Sequence, residues 1–389
     1  LNPEVVSTTD SPLRILLVTT GLRMGGAEQQ IAALAREFLA RGHRVALISL
    51  TPDCEVPMPD AVERLMLDMR KTPLSMAQAL RQARRFATNW RPDVVNAHMF
   101  HANMFARVLT RVADLPPLIC AAHSFSEGGR LRMTLYRLTN RWCAITTQVS
   151  ETSRTEMVRA GAVSSDRVRV MHNGIDTTKF RAAPELRERI RAELGIDAGT
   201  RLVLNIGRLA VEKAQVALVD AFHRMDVSTP ACLLIAGDGP QRLALEQRIA
   251  QYGLQAKVRL LGTRHDVPAL LNAADLFVLS SRIEGLPLVI GEALACECPV
   301  VATSAPGVVE LMGDLGTVVP VDDTAALAHA MQASLAGQQN ATERRRIGRE
   351  RIVSHFGIAA AADRWLMLYS ELKERGSHRV TKIHPCADA

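Results

Sequence analysis

Apolar and polar positions alternate along the chain in two successive sets. In the first, apolar runs at 13–20, 45–50, 93–97, 118–122, 145–149 and 167–171 have the length and continuity of strands buried on both faces. Helical stretches lie between most of them. The first is the clearest: Ile31, Leu34, Ala35, Phe38 and Leu39 recur at helical spacing over 27–41, after a glycine-rich loop at 21–26 and before Gly42. The order then restarts. Strand-like runs fall at 201–206, 232–236, 258–261, 276–279, 300–302 and 317–320, and helices fit 211–224, 242–252, 266–273, 288–295 and 324–336. This alternation predicts an α/β fold of two Rossmann-like, doubly wound parallel sheets. The predicted domains are 1–180 and 181–358, joined through polar sequence from Asn173-Gly174 to Ala183-Pro184. A last helix fits 359–375, and 376–389 reads as a polar, mobile tail. Open α/β sheets bind ligands beyond the carboxyl ends of their strands, so two facing domains predict a cleft lined by the loops that follow strands.

The bulk properties narrow the class. A chain of 389 residues exceeds one ordinary core and suits two. With 48% apolar and 22% charged residues it is globular. No apolar run reaches the ~18 residues of a membrane span. The first twelve residues hold Glu4 and Asp10 and no basic cluster before an apolar run, which predicts no secretory signal and a cytoplasmic protein. The 7 cysteines are scattered without a Cys-x-x-Cys and read as reduced thiols. The net charge of +7 is one-sided: residues 1–180 hold 23 Lys and Arg against 16 Asp and Glu, and residues 181–389 hold 24 against 24. A basic half beside a neutral half predicts an anionic partner for the first half, either nucleic acid or lipid headgroups, or else a basic surface that only keeps the protein soluble. Nucleic acid is disfavoured, with 9 Phe, 3 Trp and 3 Tyr in the whole chain and no recognition motif.

The loops after strands carry the candidate chemistry. Gly25-Gly26 follows the first strand and opens a helix, where backbone can approach a phosphate or sugar. The spacing Gly21-x-x-x-Gly25-Gly26 is neither a dinucleotide fingerprint nor a nucleoside-triphosphate P-loop, and a plain tight turn explains it as well. Gly207-Arg208 follows the first strand of the second half, with Lys213 five residues on. Two cations there suit a diphosphate, or form a surface salt-bridge pair. Gly237-Asp238-Gly239-Pro240 reads as a turn that shapes backbone. The strongest element is 280–292. Glu284 closes a loop, Gly285-Leu286-Pro287-Leu288 starts a helix, and Glu292 lies on it eight residues beyond Glu284, a little over two helical turns away, among Val289, Ile290, Ala293 and Leu294. Amides at the helix start can hold a phosphate, and the two carboxylates can take sugar and ribose hydroxyls.

Glu284-x7-Glu292, preceded by Gly207-Arg208…Lys213 and Gly25-Gly26, resembles the family 4 glycosyltransferases, with Asn173-Gly174-Ile175-Asp176…Phe180 and 273–279 as supporting pieces. The resemblance covers roughly 13–340. It implies the GT-B fold, with a C-terminal helix crossing back to the first domain, and transfer from a nucleotide-diphosphate sugar with retention of anomeric configuration. It implies no cofactor and no metal, in line with the absence of Asp-x-Asp. Residue by residue, Arg208 and Lys213 would bind the diphosphate, Glu292 the ribose hydroxyls and Glu284 the hexose hydroxyls. Gly26 would lie beside phosphate and sugar, backbone near Arg264 beside the base, and His123 beside the reacting carbon. His98 and His101 have a weaker case and read as capping or packing residues. Two positions depart from the family pattern: Ala214 stands where glycine often follows the lysine, and Ser280 where proline is common.

The stretch 130–142 places Leu131, Leu135, Leu138 and Trp142 on one helical stripe and Arg130, Arg137 and Arg141 on an adjacent one. The segment 81–90 repeats the theme with Arg84, Arg85 and Trp90. Such helices lie on anionic lipid or pack as ordinary surface helices. The lipid reading predicts a peripheral protein on the inner membrane face, serving a lipid-linked or saccharide acceptor. A nucleotide-sugar epimerase and a non-catalytic nucleotide-sugar binding protein are the competing readings on the same scaffold.

Overall fold

The structure, a computed structural model, describes residues 11–23, 25–124, 128–226, 230–337 and 341–381. It forms two compact units, Leu1–Gly174 with Ile358–Ala389, and Ile175–Gly357. The sequence-read boundary at 180/181 therefore falls inside the second unit.

The first unit is built on a seven-stranded sheet, β1 (Arg14–Thr19), β2 (Arg44–Ser49), β3 (Glu63–Met66), β4 (Val94–His98), β5 (Leu118–Ala121), β6 (Ile145–Gln148) and β7 (Val168–Val170). The spatial order is β3-β2-β1-β4-β5-β6-β7 and every pairing is parallel. The connections include α1 (Gly26–Ala40), α2 (Pro73–Trp90), α3 (Phe100–Val112), α4 (Arg130–Thr139) and α5 (Glu151–Arg159). The reversal of strand order beside β1 puts the β1 and β4 loops at the topological switch point. β3 was not legible in advance. Its four residues, Glu-Arg-Leu-Met, sit at the sheet edge with the two charges exposed, so neither a continuous nor an alternating apolar pattern marks it.

The second unit opens with α6 (Pro184–Glu193) and carries a six-stranded parallel sheet, β8 (Arg201–Ile206), β9 (Ala231–Ala236), β10 (Val258–Gly262), β11 (Leu276–Leu279), β12 (Val300–Thr303) and β13 (Thr317–Val319). Its order is β10-β9-β8-β11-β12-β13. Helices α7 (Gln215–Arg224), α8 (Arg242–Gln251), α9 (Val267–Ala273), α10 (Leu288–Ala295), α11 (Val308–Met312), α12 (Thr324–Leu335) and α13 (Ala341–Arg351) follow. Leu233, Ile235, Val203, Leu276, Val278 and Val301 are fully buried between the helix layers, as near-continuous apolar strands require.

The last helix, α14 (Ile358–Thr381), belongs to the first unit and reaches further than the predicted 375. It lies on α1: Ile31, Leu34 and Phe38 share one buried cluster with Trp365, Leu366 and Tyr369. The Phe38 and Tyr369 rings meet edge-on at 5.7 Å, and Asn96 Nδ2 donates to the Tyr369 hydroxyl at 2.7 Å. Polar ties at its surface are Arg169 to Glu371 at 2.6 Å and Arg41 to Asp363 at 3.2 Å. Residues 382–389 of the predicted tail lie outside the described residues.

Candidate functional site

In the second unit, the loops that leave β8 and β11 are tied together. After β8 the chain runs through Gly207-Arg208, then makes one 3-10 turn at Val211–Lys213 and begins α7 only at Gln215. The predicted helix start at 211 is therefore four residues early. The break is at Ala214, whose backbone is left-handed at φ 50°, the conformation glycine takes most readily. Lys213 Nζ lies 2.6 Å from Glu284 Oε1, and Ser281 Oγ donates to the same oxygen at 2.6 Å. Ser280 Oγ donates to the Lys213 carbonyl at 2.9 Å, and the Arg282 amide to the Glu212 carbonyl at 2.8 Å. The serine at the position where the family often has proline thus anchors one loop to the other.

Arg208 is exposed and pairs with Glu212, while Gln215 Nε2 donates to the Arg208 carbonyl at 3.0 Å. The turn after β9 closes over this loop. At Gly237, φ +141°, a side chain would collide with the Gly207 carbonyl, and the Leu209 amide donates to Asp238 O at 3.0 Å. Gly307, φ +76°, likewise brings the β12 loop against the Gly285 carbonyl. These close approaches hold the 207–209 and 285–287 backbone where only glycine neighbours fit.

Pro287 is the N-cap of α10 and no side chain caps that end. The first-turn amides that follow it have no intrahelical acceptor and leave a positive helix end at Leu288. Glu292 sits about one turn in, half-buried, and its carboxylate makes no hydrogen bond or ion pair among the described residues. Burial pushes its carboxyl up to about 7, against the opposing charge of Lys179. Arg264 does not present its side chain outward. Its guanidinium is held by Asp266 at 2.6 Å and Glu193 at 3.2 Å, which raises its already high pKa.

The acceptor-side candidates lie in the first unit. Gly25 is the extended N-cap of α1 and makes no side-chain cap bond, while nothing lies within 4 Å of a side chain built at Gly26. The Glu28 carboxylate folds back over Gly25, and burial raises its pKa. At the ends of β1, β4 and β5 there is a cavity of about 520 Å³, lined among others by Thr20, Glu28, His101, His123, Ser124 and Arg132. His123 Nε2 is 2.9 Å from His98 Nδ1. His98, read as a capping or packing residue, thus touches the candidate residue directly. Its signal in the sequence was only a histidine at a strand end. Phe125, Ser126 and Glu127, which follow His123, lie outside the described residues.

Helix α4 shows its apolar stripe to solvent. Leu131 is 76% exposed, Leu138 64% and Leu135 37%, with Arg130, Arg137 and Arg141 exposed around them. Tyr136 on the opposite side is fully buried under the Arg107 guanidinium. Trp142 is half-buried. Trp90 corrects the parallel drawn for 81–90: it is 5% exposed, its indole N–H donates to Glu63 at 2.8 Å, and Arg14 covers its ring. Among the described residues no helix is long and apolar enough to cross a membrane.

Two doubly wound parallel sheets, with cations and carboxylates gathered after the strands of the second, define the class of GT-B sugar transferases. The profile described as "Glycosyl transferases group 1" matches residues 187–351, and that of "Glycosyltransferase Family 4" matches residues 24–179. The alpha-maltose-1-phosphate synthase of Mycolicibacterium smegmatis is 30% identical over 306 residues, 72% of this chain and 79% of that protein. The 2-deoxystreptamine glucosyltransferase of Streptomyces kanamyceticus is 24% identical over 93% of this chain and all of its own. HepE of Anabaena, solved in complex with UDP-glucose, superposes with a TM-score of 0.80 at 22% identity over 92% of this chain and 100% of its own. The chain belongs to the group 1, family 4 glycosyltransferases: it is a retaining enzyme that transfers a sugar from a nucleotide-sugar donor.

Proposed function

We propose that this enzyme moves a hexose or N-acetylhexosamine from a uridine-diphosphate sugar to a hydroxyl of a lipid-linked saccharide, in the assembly of cell-surface polysaccharide on the cytoplasmic membrane face. The observation that carries the donor half is the Lys213–Glu284–Ser281 cluster, a cation and a carboxylate already in contact at the ends of β8 and β11. In this reading Lys213 and Arg208 take the diphosphate, with the amides of Gly285, Leu286 and Leu288 beside the Pro287 cap. Glu284 takes hexose hydroxyls and Glu292 the ribose hydroxyls. Backbone near Arg264 meets the base, which suits a guanidinium turned away onto Asp266. In the first unit, Gly25 and Gly26 take contacts to phosphate and sugar, and His123 is the residue for the reacting carbon.

The reaction balances without a metal or cofactor. The bond from the anomeric carbon to phosphate oxygen breaks, the acceptor oxygen bonds to the same face of that carbon, and the acceptor proton goes to the departing phosphate. Charge on the leaving diphosphate grows along this path, and fixed cations placed for it lower the barrier. Glu284 is not a nucleophile in this path, because the acceptor oxygen arrives on the face the phosphate leaves and no bond from the enzyme to the anomeric carbon is formed.

The acceptor half rests on α4. Three leucines turned to solvent beside three exposed positive side chains suit an anionic lipid surface, where each basic residue contributes about 1 kcal/mol. The decisive experiment offers labelled UDP-glucose, UDP-galactose and UDP-N-acetylglucosamine to the enzyme with a polyprenyl-linked saccharide in anionic vesicles. Label should enter the lipid with its anomeric configuration unchanged, and the enzyme should float with the vesicles in a salt-sensitive manner. Transfer only to a soluble acceptor, with no flotation, would reject the lipid-linked reading and keep the donor half.

A further inference from the structure

β4 ends at His98, and the chain turns sharply after it. Met99 takes φ +71°, a conformation rare for any residue but glycine, before α3 starts at Phe100. His98 is left fully buried, its ring 6.0 Å from Trp365 of α14 and 5.2 Å from His123. His98 Nδ1 and His123 Nε2 are 2.9 Å apart. Burial brings the His123 imidazole down to about 4, and burial together with His123 holds His98 well below the ordinary imidazole range. Both rings are therefore neutral near pH 7, each carrying one N–H.

One proton lies between them, so two arrangements exist. In the first, His98 donates from Nδ1, leaving its Nε2 a bare acceptor, and the His123 proton sits on Nδ1. In the second, His123 donates from Nε2, and His98 Nε2–H becomes a buried donor. His98 Nε2 has no hydrogen-bond partner among the described residues. The first arrangement puts its second N–H on Nδ1 of His123, a residue that lines the cavity of about 520 Å³, where a ligand oxygen can accept it, whereas the second puts it on His98 Nε2, outside that lining, which favours the first. In a neutral histidine the bond made by one nitrogen decides what the other can do.

We propose that His98 is a positioning residue for sugar transfer: by donating from Nδ1 it fixes His123 as the Nδ1-protonated tautomer, a hydrogen-bond donor toward a sugar oxygen and not a base. This rests on the reading of His123 as a residue of the transfer site. It also accounts for the burial of a second histidine behind the first, and it leaves the acceptor proton to the departing phosphate.

The test combines 15N-histidine NMR of the full chain with kinetics of His98→Asn, His98→Leu and His123→Ala. The asparagine amide N–H can replace the Nδ1–H, and leucine cannot. The wild-type spectrum should show His123 protonated on Nδ1 and unprotonated on Nε2. His98→Asn should keep that signature with kcat within about 3-fold, whereas His98→Leu should lose about 10–100-fold in kcat with donor KM nearly unchanged. A wild-type proton on His123 Nε2, or wild-type kcat in His98→Leu, overturns the proposal. Should His98→Leu fail to fold, the wild-type spectrum and His98→Asn still decide. Full turnover in His123→Ala overturns the reading of His123 and the inference with it. An inactive His123→Ala beside a fully active His98→Leu overturns the inference alone.

Discussion

In the second unit the loops after β8 and β11 are locked together through Lys213, Glu284, Ser280 and Ser281, with glycine-tight turns pressed on both. In the first unit the loops after β1, β4 and β5 surround a cavity of about 520 Å³ whose lining mixes Glu28, His123, His101 and Arg132. The same architecture thus carries a prearranged charged loop cluster in one unit and a cavity of mixed lining in the other. A diphosphate is the constant part of nucleotide-diphosphate sugars, and fixed charges recognise it with little reorganisation. Acceptors vary, as the names of the two relatives illustrate, and a cavity of mixed lining can be re-specified by changing a few side chains.

The sharpest way to break this contrast is Lys213→Ala. If the second unit is the prearranged half, losing its central cation removes charge stabilisation present in the transition state and leaves Glu284, 11% exposed, with only Ser281 among the described residues. Steady-state kinetics should show kcat/KM down by about 10²–10³-fold, with the circular dichroism spectrum unchanged. Wild-type turnover in this variant would remove the donor site from this place in the molecule.

Glu292 is the exception within the locked unit, a half-buried carboxyl without a hydrogen-bond partner among the described residues, and Glu292→Gln sharpens the comparison through pH. Its raised pKa of about 7 means that the carboxylate, the better acceptor for ribose hydroxyls, becomes dominant only above neutrality. Donor KM measured with an intact nucleotide sugar should fall as pH rises through about 7 in the wild type. It should stay flat in Glu292→Gln and be about 10-fold higher than wild type at pH 8. The stability effect has the opposite sign. A carboxyl whose pKa is higher folded than unfolded binds its proton more tightly in the native state, so native stability is lost as pH rises from about 4.5 to about 7. The glutamine variant lacks that loss and should melt above the wild type at pH 8. A wild-type KM without pH dependence would place Glu292 away from the ribose.

Much of this was legible in advance, and the failures have physical causes. The strands at 201–206 and 276–279 were read from continuous apolar runs and appear at those residues. Glu284 and Lys213 were read as neighbours of one ligand, but their contact with each other was not, because an ion pair across 71 residues leaves no local pattern. Helix α13 was missed because Glu343, Arg344, Arg345, Arg346, Arg349 and Glu350 leave it no apolar stripe. Three of its arginines instead donate to backbone carbonyls, Arg349 to Phe180 at 3.1 Å, Arg344 to Asp314 at 2.6 Å and Arg351 to Glu310 at 2.9 Å. The α4 stripe was read correctly as a pattern, but periodicity alone does not say whether leucines face inward or outward. Trp90 shows the cost of that ambiguity, for it turned inward.

The smallest expected effect concerns Ala214, where a departure from the family pattern and an observed backbone angle coincide. At φ 50° an alanine side chain crowds the neighbouring carbonyl, a strain of about 1–2 kcal/mol that glycine avoids. Replacing it by glycine also gives the unfolded chain about 0.4–1 kcal/mol more entropy and loses a buried methyl, so the net gain is small. The informative quantity is the difference from a control three residues along. Ala217 is inside α7, where glycine costs about 1 kcal/mol. Chemical denaturation should therefore place Ala214→Gly above Ala217→Gly by about 1–2 kcal/mol, with Ala214→Gly itself near wild type. Equal losses in the two variants would mean that the strand-to-helix corner carrying Lys213 is not held in the left-handed turn, and the rigidity ascribed to the donor-side loops would lose its backbone support.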